Sequence, residues 1–244
     1  MYETDELIAQ YCEFHYGDAC FGVPNFPKAI AQLALDAVKG GPTARALDIG
    51  CSVGRTAFEL ADVFDAVDPL DFSARFVQVG ARLQSTGRIR YERPEEGELV
   101  SFQERTLSDM GLTGDYSHIH FMQQDATNMK PEYAGYDLVV AANLIDRLHS
   151  PAQFLRDLAG RMNPGAVLLI ASPYTWLETF TKKEHWLGGF KRDGEPVTTL
   201  DGLHAELDAH FTRIAEPVKV PFVIRETANK HQHTLSEVTP WKRK

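Results

Sequence analysis

The stretch Ala46-Leu47-Asp48-Ile49-Gly50-Cys51-Ser52-Val53-Gly54-Arg55-Thr56-Ala57-Phe58-Glu59-Leu60-Ala61 decides the fold. Ala46 to Ile49 is short and mostly apolar, which suits a buried strand. From Arg55 to Val63, Phe58, Leu60 and Ala61 fall where a helix packs on a sheet. Between the two, Gly50 and Gly54 let the backbone turn closely around a ligand, and the N–H groups at the helix start favour a nucleotide-type ligand. A dinucleotide fingerprint needs glycine at its first, third and sixth places. Counted from Gly50, the third place is Ser52 and the sixth is Arg55, so a nicotinamide cofactor is disfavoured.

Strand and helix units repeat outward from this segment. Ala66 to Asp71 reads as a strand and Ser73 to Leu83 as a helix. Ile119 to Gln123 and Tyr136 to Ala142 read as further strands. A helix follows with Ser150 as N-cap and Pro151 at its first position, stopped at Asn163-Pro164-Gly165. Ala166 to Ala171 is a buried strand, Leu200 to His210 a late helix, and Phe211 to Val220 with Phe222 to Thr227 a closing antiparallel pair. Upstream, Leu7, Ile8, Tyr11 and Phe14 have helical spacing between Thr4 and Tyr16, ending near Gly17. After the turn-rich Phe21 to Pro27, a second helix carries Ile30, Leu33, Ala34, Ala37 and Val38 up to Gly40-Gly41-Pro42. The charged segment Thr86 to Ser117 interrupts the alternation as an inserted hairpin, with arms Arg88 to Arg93 and Leu99 to Glu104 around Pro94-Glu95-Glu96-Gly97. The pattern predicts one α/β domain over residues 1–244, with residues 1–40 as an N-terminal cap and 86–117 as the insertion. A mostly parallel sheet with helices on both faces places its ligand beyond the carboxyl ends of the strands.

Composition narrows the partners. The 244 residues carry a net charge of -9, which argues against nucleic acid, and the one basic cluster, Lys242-Arg243-Lys244, reads as a solvated tail. Apolar residues make up 43% of the chain, and no segment approaches the roughly 20 apolar residues of a membrane span. The acidic start, Met1 to Glu6, lacks the basic and apolar regions of a secretory signal, so a cytoplasmic location is expected. Cys12, Cys20 and Cys51 are sparse and odd in number, which fits reduced thiols better than a disulfide framework. Cys12, His15 and Cys20 supply only three metal ligands and His231 with His233 a lone pair, so no metal site is expected.

Asp48-Ile49-Gly50-Cys51-Ser52-Val53-Gly54 has the pattern acid-x-Gly-x-x-x-Gly and resembles motif I of class I methyltransferases, with Ser52 in place of the commoner glycine. The resemblance implies a Rossmann-like fold, a seven-stranded and mostly parallel sheet, and S-adenosylmethionine as methyl donor. Asp48 then approaches the methionine ammonium, and the loop of Gly50, Cys51, Ser52 and Gly54 faces the sulfonium ligand. A carboxylate at the end of the second strand can accept both ribose hydroxyls; Asp71 is the favoured candidate and Asp68 the rival. Asp125-Ala126, after the third strand, resembles the family's adenine clamp, with Phe72 placed to stack on the base. Asn143, after the fourth strand, faces the donor sulfonium in many relatives.

Five further stretches resemble one subfamily, the methyltransferase of ovothiol biosynthesis, which methylates an imidazole nitrogen of 5-mercaptohistidine to give ovothiol A. They are Phe14-His15-Tyr16-Gly17, Val23-Pro24-Asn25-Phe26-Pro27, Asp71-Phe72-Ser73-Ala74-Arg75-Phe76, Ser172-Pro173-Tyr174-Thr175-Trp176-Leu177-Glu178 and Phe222-Val223-Ile224-Arg225-Glu226-Thr227. Many relatives carry this module behind an iron-dependent sulfoxide synthase. Met1 lies almost at the module's start, so a stand-alone enzyme working with a separate sulfoxide synthase is expected. A small amino-acid acceptor calls for a bidentate Arg, with Arg147 and Arg225 as candidates, and an acidic partner, Asp146 or Glu226. Tyr16, Asn25, Phe26, Tyr174 and Trp176 are candidates to wall the acceptor ring, or else belong to the core. Asn143 and Tyr16 are positioning candidates, and no catalytic base is assigned. The alternatives are another small amino acid or imidazole, such as the 5-selenohistidine analogue, and a cofactor-binding regulator without turnover.

Overall fold

In a computed structural model that describes residues 4–244, the deciding strand forms as β1 (Arg45–Ile49) at the centre of the main sheet. The acidic reading of Met1 to Glu3 lies outside the described residues. Two helices come first: α1 (Asp5–Tyr16), capped by the Thr4 hydroxyl, and α2 (Phe26–Val38), capped by Asn25. The alternation then runs β1, α3 (Arg55–Leu60), β2 (Ala66–Asp71) and α4 (Ala74–Thr86). The inserted hairpin follows as β3 (Arg88–Glu96) and β4 (Leu99–Thr106), and the alternation resumes with β5 (Met122–Gln123), β6 (Tyr136–Ala142), α5 (Pro151–Leu158) and β7 (Met162–Ser172). A small hairpin not foreseen in the sequence, β8 (Phe190–Arg192) with β9 (Glu195–Val197), precedes α6 (Thr199–Leu207), β10 (Phe211–Arg213), β11 (Val218–Arg225) and β12 (His231–Arg243).

The sheet order is β5-β2-β1-β6-β7-β12, with β10 and β11 side by side on the outer edge of β12. Pairs from β5 to β7 are parallel; β12 runs antiparallel to β7, β10 and β11. The chain moves from β1 outward through β2 to β5, then returns to β6 on the other side of β1. That reversal opens a crevice beyond the carboxyl ends of β1 and β6. Successive residues of a strand face opposite sides, so Leu138 and Val140 of β6 join the core under α2 and α3, while Val139 and Ala141 join the one under α5 and α6.

Several elements differ from expectation for physical reasons. The sheet holds eight strands, not seven, because Glu216-Pro217 interrupts the expected closing strand. The resulting β10 and β11 pair with β12 and not with each other. Lys242-Arg243-Lys244 exposes both lysines but is no loose tail, since it ends β12: Trp241 is fully buried, Arg243 donates to the Ala159 carbonyl at 2.8 Å, and Lys244 donates to the Asp208 carbonyl at 2.6 Å. The strand expected over Ile119 to Gln123 keeps a bridge from Ile119 to Val67 and the two residues of β5. Between them the Phe121 ring inserts against Gly54 and Gly80, where an added Cβ would lie 2.5 and 2.2 Å from it. Ser150 precedes Pro151 as expected but makes no side-chain cap; its hydroxyl instead meets His149 Nδ1 at 3.1 Å.

Candidate functional site

A cavity of about 420 Å³ fills the crevice beyond β1, β2 and β6, and α1 and β11 close it from above. The loop after β1 lines it with Gly50, Cys51 and Ser52. Two backbone bonds tie this loop to the second strand: Gly50 and Cys51 N–H both donate to the Leu70 carbonyl, at 2.8 and 3.1 Å. Ser52 holds φ +52°, a left-handed conformation that costs a non-glycine residue on the order of 1–3 kcal/mol. Its amide donates to Asp71 Oδ2 at 2.9 Å, and its buried hydroxyl has no partner among the described residues. Gly54 does not line the cavity. At φ +95° and against the Phe121 ring, it lets the chain turn into α3 where no side chain fits.

Three acids face the cavity, in different states. Asp48 is buried with Oδ2 unpartnered, and burial first, then the nearby Asp71, pushes its pKa up to about 7. It lacks a cation. Asp71 accepts from Ser52 N–H on one oxygen and from Ser73 N–H on the other, at 2.9 Å each. A carboxylate has about four acceptor positions, which suits a group that takes several donors at once. Asp68, the rival, is taken by Arg45 at 2.6 Å and Tyr136 at 2.7 Å and does not line the cavity. Asp125 binds Thr127 through Oδ1 and sits at the cavity edge beside Ala126, with the exposed ring of Phe72 at the mouth. Asn143, at φ +52°, lines the floor while its Oδ1 accepts from Ser236 at 2.6 Å.

A family described as a methyltransferase domain matches residues 24–210 of the chain. The chain belongs to this methyltransferase family. Its fold recurs in solved structures at low identity. An N-methyltransferase NodS from Bradyrhizobium japonicum WM9, in complex with S-adenosyl-L-homocysteine, is 16% identical with a TM-score of 0.57, over 98% of this chain and 99% of that one. The [4+2]-cyclase SpnF is 13% identical with a TM-score of 0.58, over 98% and 97%. A protein described for the conversion of a disulfide bond into a thioacetal group during echinomycin biosynthesis is 18% identical, with a TM-score of 0.56, over 87% and 81%. No curated protein matches the sequence. The methyl donor of the methyltransferase is S-adenosylmethionine. The residues fit it: the orphaned Asp48 carboxylate suits the ammonium, Asp71 the ribose hydroxyls, and Phe72 with Asp125 the base.

Of the residues expected on the acceptor side, the methyltransferase brings only Phe26 and Arg147 to the cavity. Tyr16 is buried and donates its hydroxyl to the Val53 carbonyl, so it braces the loop from behind. Asn25 caps α2 and donates to the His15 carbonyl at 2.9 Å. Tyr174 turns away to donate to Glu237 at 3.0 Å, and Trp176 donates to Thr199 at 2.9 Å in the core. Arg225 donates to the Pro94 carbonyl and to Glu95, which pins the inserted hairpin to β11. Glu226 accepts from Gln232 and pairs with Lys230 in the adjoining turn. Arg147 spends its Nη1 on Asp146 and the Thr175 carbonyl and one Nη2 bond on Thr175 Oγ1, at 3.0 Å each. Its Nε–H and second Nη2–H have no hydrogen bond among the described residues, a side-on pair suited to a carboxylate. Asp146 is fully buried and holds Thr175 and Arg147 in place without lining the cavity.

The cavity is lined instead by residues not named as acceptor candidates: Tyr11, Phe14 and His15 of α1, with Phe222 and Ile224 of β11. The signal was present. Tyr11, Phe14 and His15 are spaced i, i+3 and i+4, one face of a helix, whereas Tyr16 falls on the next face round. Among the described residues, no group of three His, Cys, Asp or Glu side chains is placed to hold a metal ion.

Proposed function

We propose that the chain transfers the methyl group of S-adenosylmethionine to a ring nitrogen of 5-mercaptohistidine. One observation carries this reading. All five stretches that resemble the ovothiol subfamily, scattered between Phe14 and Thr227, contribute to the same cavity: Phe14 and His15, Phe26 and Pro27, Asp71 with Phe72 and Phe76, Pro173, and Phe222 with Ile224. Five separated segments converge on one site.

S-adenosylmethionine supplies an electrophilic methyl group on a sulfonium. A nitrogen–carbon bond forms as the carbon–sulfur bond breaks, and its electron pair stays on sulfur. A neutral imidazole nitrogen attacks with its lone pair, so no proton has to leave first, and a neighbouring thiolate offsets the positive charge of the methylated ring. The protein's part is then positioning and exclusion of water. Asp48 holds the donor ammonium, Asp71 the ribose, the Nε–Nη2 edge of Arg147 the acceptor carboxylate, and Phe14, Phe26 and Phe222 keep the acceptor half dry.

The test is turnover with methyl-labelled S-adenosylmethionine and three acceptors: 5-mercaptohistidine, its selenium analogue and histidine. The expected result is kcat/KM for mercaptohistidine about ten-fold or more above histidine. Equal turnover of histidine, or a clear preference for the selenium analogue, overturns the acceptor. Asp71→Ala is expected to weaken S-adenosylhomocysteine binding about ten-fold or more in calorimetry, since two hydrogen bonds to a charged group are lost.

A further inference from the structure

His15 is a buried imidazole that lines the cavity without a hydrogen-bond partner among the described residues. It is 6% exposed, and of its two ring nitrogens Nδ1 is buried and orphaned, while Nε2 is the nitrogen left with surface to meet a ligand. Around it stand the rings of Phe14 at 5.3 Å, Tyr16 at 6.1 Å and Tyr11 at 6.2 Å. Leaving a buried polar atom unpaired is costly, so such atoms in a folded protein call for a partner. Three cavity-lining residues carry one: Asp48 Oδ2, Ser52 Oγ and His15 Nδ1. The first two sit at the end of β1 and on the loop that follows it. His15 belongs to α1, on the acceptor side.

Burial, then the positive charge of Arg55, pushes the His15 pKa down to about 3, so the ring is neutral wherever the enzyme works. A neutral imidazole carries one N–H and one bare nitrogen in either tautomer. An imidazole acceptor in the state that attacks has the same complement, so the two rings can share one hydrogen bond. We propose that His15 hydrogen-bonds the nitrogen of the acceptor ring that is not methylated, and thereby determines which ring nitrogen meets the methyl group. The aromatic side chains around it supply a slot for a flat ring but no direction within it. His15 supplies the direction. It holds no proton in flight and forms no bond to the methyl group, so it is a positioning residue, and the inference rests on the imidazole-acceptor reading above.

The experiment compares the full-length wild type with His15→Phe and His15→Asn. For His15→Phe, S-adenosylhomocysteine affinity is expected to stay within about three-fold, while kcat/KM for mercaptohistidine falls about ten-fold or more, the worth of one hydrogen bond to the reacting ring. NMR of the product is expected to show one ring-nitrogen isomer from wild type, both from His15→Phe, and mostly one again from His15→Asn. A single isomer from all three proteins, or a fall in activity matched by an equal loss of cofactor affinity, overturns the assignment. Where wild type methylates no imidazole, the acceptor reading fails by itself, and His15 is read directly. Protein with 15N-labelled histidine, saturated with S-adenosylhomocysteine, is then titrated with imidazole. A shift of the His15 ring nitrogens supports a ring-binding role, and unchanged resonances overturn it.

Discussion

At the scale of single residues, the donor site is a set of short backbone turns and unsatisfied side chains, and Asp48 makes it sensitive to pH. Its pKa of about 7 lies above the ordinary carboxylate range near 4, so the folded protein binds this proton more tightly than the unfolded chain does. Its contribution to stability is therefore full at low pH and lost as pH rises through about 7. An ammonium partner needs the carboxylate, so donor binding moves the other way. Affinity for S-adenosylhomocysteine is expected to rise several-fold between pH 6 and pH 8 in calorimetry. Asp48→Asn should bind more weakly and show little of that rise; an unchanged slope in the variant excludes Asp48 as the ammonium's partner. That Asp48, Asp71, Asp125 and Asn143 line one cavity was legible in the sequence because each lies within a few residues of a strand's carboxyl end, where local pattern dictates the turn. Tyr16 stayed open between acceptor wall and core because a neighbouring position on a helix points about 100° away, and only packing shows which of the two faces inward.

At the scale of elements, the inserted hairpin β3–β4 was visible as two charged arms about a turn, but what fastens it was not. Tyr91 and Arg93 of β3 bond Glu13 of α1, at 2.6 and 3.4 Å, and Glu95 receives Arg225 of β11. The hairpin thus clamps the two elements that close the cavity, α1 and β11. Arg225→Ala is expected to lower the thermal midpoint by about 2–4 °C, the shift that a modest loss of stability produces in a chain of this size. The Michaelis constant for the acceptor should stay within about two-fold. A rise of ten-fold or more at unchanged melting temperature would return Arg225 to the binding site. Helix α6 shows a cap fully written in sequence, since Thr198 and Asp201 exchange hydrogen bonds in a capping box. Ser150 shows the opposite, a favoured N-cap residue whose hydroxyl found a nearer partner in His149.

At the scale of the whole molecule, the antiparallel edge decides whether the cavity closes. β12 carries Trp241, fully buried with its Nε1 donating to Thr239 at 3.0 Å, and the same strand supports β11, which brings Phe222 and Ile224 over the crevice. Trp241→Ala is expected to cost about 3–5 kcal/mol in urea unfolding, the usual loss for a large buried aromatic ring. A cost below about 1 kcal/mol would mean that this edge stands apart from the core. By itself the sequence determined the α/β alternation with its parallel sheet, the glycine turn after β1 and the order of acids along the strand ends. Those depend on hydrophobic period and turn chemistry within a few residues. Only the tertiary structure decided the eight-strand edge, the burial of Trp241 near the C-terminus, the exclusion of Asp68, Tyr16, Tyr174, Trp176 and Arg225 from the cavity, and its lining by Tyr11, Phe14, His15, Phe222 and Ile224. Each of these turns on which distant group a side chain meets: Arg225 finds Glu95 130 positions away, and Asp68 finds Tyr136 68 positions away. Local pattern holds no record of such distances, because the partner is chosen by how helices and strands pack and by which buried polar atoms must be satisfied.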